Sequence, residues 1–96
     1  MGRQVWTSYV VAQIARAAVG LIGPGIKALG CAVATDSVVL HFVEAGERGC
    51  DREDLSDIAF ELDVLLDGKV LIETVVHGAE ETLDWAQLSP VYVAKE

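Results

Sequence analysis

The sequence predicts an α+β fold: a two-layer sandwich with element order α-β-β-α-β-β, two helices on one face of a mainly antiparallel four-stranded sheet. Three observations carry that prediction. Two segments, 3–22 and 51–67, repeat apolar residues at helical spacing. Four shorter runs, 26–35, 37–44, 69–77 and 91–95, are rich in β-branched residues or alternate in character. Turn-forming residues separate these runs, notably Gly23-Pro24-Gly25, Asp36 and Asp67-Gly68. With 96 residues, 52% of them hydrophobic, the chain forms one domain, 1–96, with enough apolar surface for one core.

In the first helix Trp6, Val10, Ile14, Ala17, Ala18 and Leu21 share one broad arc, with Gln13 and Arg16 to one side. Those two polar residues interrupt the run of about 20 apolar residues that a membrane span needs. Arg16 also falls where the apolar core of a secretory signal would lie, and Trp6 occupies the position where a myristoylation signal needs Ser or Thr. A core-packing helix in a cytoplasmic protein is the expectation. Ala28, Gly30, Ala32 and Ala34 then give the first strand a small-residue face, suited to close packing by a helix or to a shallow groove. The second strand places Val38, Leu40 and Phe42 on one face and Val39, His41 and Val43 on the other. Since both faces are largely apolar, that strand is expected to be central, or covered by something besides the helices.

The second helix organises the acidic half of the chain. Asp51 is a suitable N-cap, and Glu53 and Asp54 place negative charge in the first turn, where the helix dipole favours it. Leu55, Ile58, Leu62, Leu65 and Leu66 form the apolar stripe. Glu53, Asp57 and Glu61 lie opposite it, with Phe60 and Val64 set among them. Residues 44–50 form a turn into this helix. A long acidic connection, 78–90, carries Glu80, Glu81 and Asp84 around Leu83, Trp85 and Leu88. Connections of that length in compact domains are often functional.

The net charge is −8, from 15 acidic and 7 basic side chains. Up to Val43 the balance is Arg3, Arg16 and Lys27 against Asp36; from Glu44 onward fourteen acids face Arg48, Arg52, Lys69 and Lys95. This composition argues against binding of a nucleic-acid backbone, which requires clustered Lys and Arg. It fits either a solvated surface that maintains solubility or a surface for a basic protein partner. Residues Glu53, Asp57, Phe60, Glu61 and Val64, followed by Glu80, Glu81, Asp84 and Trp85, are the candidate partner-binding set.

Few residues suggest chemistry. His41, Glu73 and His77 would approach one another if the second and third strands were neighbours, as a metal site or acid–base pair. No tight ligand spacing accompanies them, and two ordinary sheet histidines, one of them near a strand end, are the preferred reading. Ser37, Ser56 and Ser89 lack a nucleophile-elbow context, and Gly23-Pro24-Gly25 has no preceding strand to make it a phosphate loop. No Asp-rich loop has calcium-binding spacing. The reading is of a non-enzyme without metal or cofactor. Cys31 and Cys50 sit in no redox or metal spacing and read as two free thiols. A bridge between them would require Cα atoms within about 7 Å.

Several short patterns together resemble a family of small, mostly uncharacterised bacterial proteins, some of them described as immunity proteins of contact-dependent growth inhibition or related toxin systems. They are Gln13-x-Ala15-Arg16-Ala17, Gly20-x-Ile22-x-Pro24-x-Ile26-x-Ala28, Asp51-x-Glu53-Asp54-x-Ser56-Asp57-Ile58 and Tyr92-x-x-Lys95-Glu96. The likeness spans about residues 9–96, and most of the residues that carry it are structural. It implies a cytoplasmic protein that binds and blocks the C-terminal domain of a toxin, often a nuclease. Members of that family are rich in aromatics in the second strand, whereas here Phe42 stands there alone between His41 and Val43. From another class, a small acidic chaperone or adaptor for a secreted protein would share this composition. A homodimer joined through Phe60 and Val64 would account for the same exposed residues.

Overall fold

A computed structural model describes residues 2–46 and 51–94, the side chain of Arg3 excepted. Residues 47–50, in the expected turn, and the closing Lys95-Glu96 lie outside the described residues. The elements are α1 (Arg3–Ala17), β1 (Ile26–Val33), β2 (Ser37–Glu44), α2 (Arg52–Leu65), β3 (Leu71–His77) and β4 (Ser89–Val93), in the expected order.

Helix α1 stops five residues short of Ile22, the end that periodicity suggested. Gly20 takes φ +79°, and the Leu21 N–H returns to the Ala18 carbonyl at 2.9 Å, so the chain turns before reaching Gly23-Pro24-Gly25. Val10, Ile14, Ala17 and Ala18 are buried as expected, but so is Gln13, whose Oε1 accepts from the Arg16 guanidinium at 3.2 Å. That bond satisfies the buried amide oxygen. At the other end of the helix, Trp6 Nε1 donates to the Ala34 carbonyl at 2.9 Å and ties α1 to the exit of β1.

The four strands form one mixed sheet in the order β3-β2-β1-β4. Strand β1 pairs antiparallel with both β2 and β4, while β2 and β3 run parallel. The parallel pair follows from connectivity: α2 occupies the crossover between β2 and β3, which returns the chain to the same end of the sheet. Because β2 and β3 are immediate neighbours, the sheet lacks the intervening strand of a split β-α-β, ferredoxin-like arrangement. Strand β4 begins two residues before the expected Val91. Its register shifts between Leu29 and Gly30, opposite the stretch containing Pro90. An edge strand tolerates a residue with no N–H to give.

Buried side chains of both helices join one alternation of the strands in a single core. Val10 and Ile14 from α1 and Leu55, Ile58 and Leu62 from α2 cluster with Leu29, Cys31, Val38, Leu40 and Phe42. The other alternation is covered differently. Ala28 and Val43 pack with Leu83 and Leu88, so part of the 78–90 connection folds back over the opposite face of the sheet. The central position expected for β2 therefore occurs, and its second face is covered at Val43.

Cys31 is a free thiol within the core, and Cys50 lies outside the described residues. Burial pushes the Cys31 thiol up to about 11 from its ordinary 9.0. The folded-state value is raised, so above pH 9.0 the unfolded chain gives up this proton first. The stabilisation is complete below pH 9.0 and is lost as pH rises towards about 11. In a Cys50→Ser background, Ellman's reagent at pH 8 is expected to leave the folded protein untouched and to find one thiol in urea. The urea midpoint is expected to fall between pH 9 and 11; rapid labelling of the folded protein would contradict the buried placement.

Candidate functional site

Helix α2 presents its two faces as its sequence demands. The Asp51 side chain accepts from the Glu53 N–H at 2.9 Å, capping the first turn, where Glu53 and Asp54 also lie. At the far end Asp67 and Gly68 both take left-handed conformations, and the Gly68 N–H reaches the Asp63 carbonyl at 2.9 Å. With Leu55, Ile58 and Leu62 in the core, the opposite side points to solvent. Phe60 is 66% exposed and Val64 55%, one helical turn apart, and Glu53, Asp57 and Glu61 are exposed around them. Five of the nine candidate partner residues thus share one helix face.

The other four stand elsewhere. Leu83 anchors the 78–88 connection against Ala28 and Val43, a cluster of strand residues whose alternation is opposite to the one α2 covers. Glu80, Glu81, Asp84 and Trp85 therefore belong to the far side of the sheet from Phe60 and cannot form one continuous patch with it. Their roles are partly internal. Asp84 accepts from the Ala86 N–H at 3.0 Å, and Glu81 accepts from the Gly78 N–H at 2.6 Å. The latter bond, aided by the neighbouring His77, holds the Glu81 carboxyl below its usual range.

Trp85 closes over the small-residue face of β1, where the sequence allowed a helix or a groove. A Cβ built on Gly30 would lie 2.8 Å from the Trp85 ring and 3.3 Å from a Leu83 methyl. Beside this contact the sheet leaves a recess of about 470 Å³, lined by Lys27, Ala28, Val43, Glu81, Leu83, Trp85 and neighbours. Replacing Gly30 with Ala is expected to push the indole outward and cost about 1–3 kcal/mol, the usual range for overpacking. Trp85 remains 41% exposed and has room to move, so the low end is expected. A red shift in tryptophan emission, assigned in a Trp6→Phe background, checks the displacement; unchanged emission would contradict the contact.

The same face carries the histidines. Strands β2 and β3 are neighbours, with His41 opposite Val75 and His77 opposite Val43, so both rings leave one face. His41 Nδ1 and His77 Nε2 stand 2.9 Å apart. The ring centroids are 5.2 Å apart and the planes 24° from parallel. That centroid distance exceeds the nitrogen separation by roughly two ring radii, so the nitrogens oppose each other head-on and the rings do not lie flat upon one another. The carboxylate that reaches them is Glu81, 3.4 Å from His77 Nδ1, and not Glu73, which sits opposite Val39. Sequence reasoning paired the histidines but missed Glu81; its i,i+4 spacing from His77 across Gly78 was the available signal. Desolvation, and secondarily the neighbouring His77, holds the His41 imidazole below its ordinary range.

No protein-family model matches the chain, and comparison with curated proteins returns no match. Among the described residues, no helix is long and apolar enough to cross a membrane.

Proposed function

We propose that this protein is an immunity-type inhibitor that neutralises a cognate toxin by gripping its basic, nuclease-type C-terminal domain with the outer face of α2. One observation carries the reading: Phe60 and Val64 stand exposed within a field of carboxylates while Leu55, Ile58 and Leu62 of the same helix are buried in the core. Aromatic and aliphatic anchors surrounded by charge are the usual composition of a tight interface, the anchors slowing dissociation and the charge steering approach. A domain built to hold nucleic-acid phosphates has a basic surface complementary to Glu53, Asp57 and Glu61. The short patterns that resemble a bacterial family with some members described as immunity proteins support the same reading. No enzymatic step, cofactor or membrane contact is part of it.

The division of the nine candidate residues between two faces narrows the proposal. The α2 face is the primary surface, and Trp85 belongs to a separate region that one rigid partner domain need not touch. The test is binding and inhibition of the C-terminal domain of a secreted protein encoded immediately upstream. Wild-type protein is expected to bind that folded domain and protect cells that express it. A variant carrying Phe60→Ala and Glu61→Lys is expected to lose both. Retained affinity would remove α2 from the interface. Binding only to an unfolded segment of the secreted protein would instead support a chaperone or adaptor. A dimer that light scattering shows dissociating on dilution, and that Phe60→Ala abolishes, would assign the exposed residues to self-association.

A further inference from the structure

We propose that His41 and His77 form a two-imidazole site for a late first-row divalent cation, represented by Zn²⁺, with Glu81 orienting the pair. This proposal is independent of the toxin reading, since it concerns the opposite face of the sheet from α2. The parallel register sends both rings out of one face, and their facing nitrogens, 2.9 Å apart, point into the same gap. A separation of 2.9 Å is that of one N–H···N hydrogen bond, with a single proton between the two nitrogens. Glu81 determines which nitrogen supplies it. A carboxylate can only accept, so its place 3.4 Å from His77 Nδ1 favours the tautomer with the proton on Nδ1 and the lone pair on Nε2. His41 Nδ1 is then the donor across the gap.

A cation can take the place of that shared proton. Two nitrogens held about 2.0–2.1 Å from a tetrahedral zinc lie about 3.3 Å apart. The rings need to separate by only a few tenths of an ångström, with a tilt of each. Imidazole is a good ligand for zinc, copper and nickel. The far nitrogen of His77 already has the carboxylate partner that metal-bound histidines characteristically use, and the Gly78 N–H holds that carboxylate in place at 2.6 Å. Among the described residues, no group of three or more His, Cys, Asp or Glu side chains could hold a metal ion, so water completes the shell. The His77 side chain is 22% exposed, so solvent reaches this residue. The result is an open, exchangeable site, unlike a closed structural zinc centre.

Calorimetric titration of tag-free protein with ZnCl₂ at pH 7.5, in a Cys50→Ser background, tests the site. One equivalent is expected to bind. His41→Ala and His77→Ala are each expected to weaken binding at least tenfold, and Glu81→Ala about tenfold, the lower end of losses from an outer-shell partner. In parallel, ¹⁵N spectra of the parent protein are expected to show His41 Nδ1 and His77 Nε2 shifting together on zinc addition, a readout that needs no further substitution. Absence of binding at millimolar zinc, binding that survives the double His41→Ala, His77→Ala substitution, or imidazole signals that do not move would each overturn the proposal.

Discussion

Replacing Phe42 with Ala is expected to destabilise the protein by about 3–5 kcal/mol, the usual cost of emptying a buried aromatic position. Phe42 is fully buried and heads the largest side chains in the core. It lies on β2, paired with Leu29 of β1 on one side and Val76 of β3 on the other. A cavity there opens in the middle of the sheet, where both neighbouring strands are held by ladder hydrogen bonds and cannot close over it. A domain of this size has roughly 5–10 kcal/mol of total stability, so the loss consumes a large share of it. Urea unfolding followed by circular dichroism should show the midpoint collapse with the slope little changed. Phe42→Leu should cost markedly less because most of the volume remains. Equal losses for the two variants would mean that packing volume is not what Phe42 supplies.

The second large effect concerns the exposed face of α2 and separates its two ingredients. Under the proposed function, Phe60→Ala removes an anchor and is expected to speed dissociation from the toxin domain by about 30-fold or more, corresponding to roughly 2 kcal/mol, as for central interface aromatics. Association should barely change. The pair Asp57→Lys and Glu61→Lys leaves the anchor and reverses the local field, so association should slow severalfold or more and lose its dependence on salt. Because Phe60 is 66% exposed, its loss should leave folding stability nearly untouched. Kinetic traces at 50 and 300 mM salt distinguish the two effects. If Phe60→Ala changed stability by several kcal/mol while binding stayed constant, the face would belong to packing and not to recognition.

Much of the architecture was legible because local physics and the fold agree. The alternation of Val38, Leu40 and Phe42 against Val39, His41 and Val43 marked β2 as central or covered beyond the helices; it is central, and Val43 on its second face packs under Leu83. The cap at Asp51 and the stripe of Leu55, Ile58 and Leu62 needed only helical periodicity to be read. Ends of elements were less legible. Helix α1 stops at Ala17 because Gly20 takes a left-handed conformation, while the apolar spacing continues to Leu21. Strand β4 starts at Ser89 because β1 supplies a pairing partner that no local pattern announces.

The candidate sites divide along the same line. Everything about the α2 face follows from residues within two turns of one another, so composition and spacing by themselves determined that Phe60 and Val64 would stand among Glu53, Asp57 and Glu61. Long-range pairing decided the rest. Only the neighbouring, parallel placement of β2 and β3 brings His41 to His77, and only the turn at Gly78 swings Glu81 in place of Glu73. Only the return of residues 78–88 over β1 sets Trp85 against Gly30 and parts it from α2. The physical reason is that helical faces are set by contacts three and four residues apart, whereas a sheet surface is assembled from residues 36 to 55 positions apart, as with His41–His77 and Gly30–Trp85.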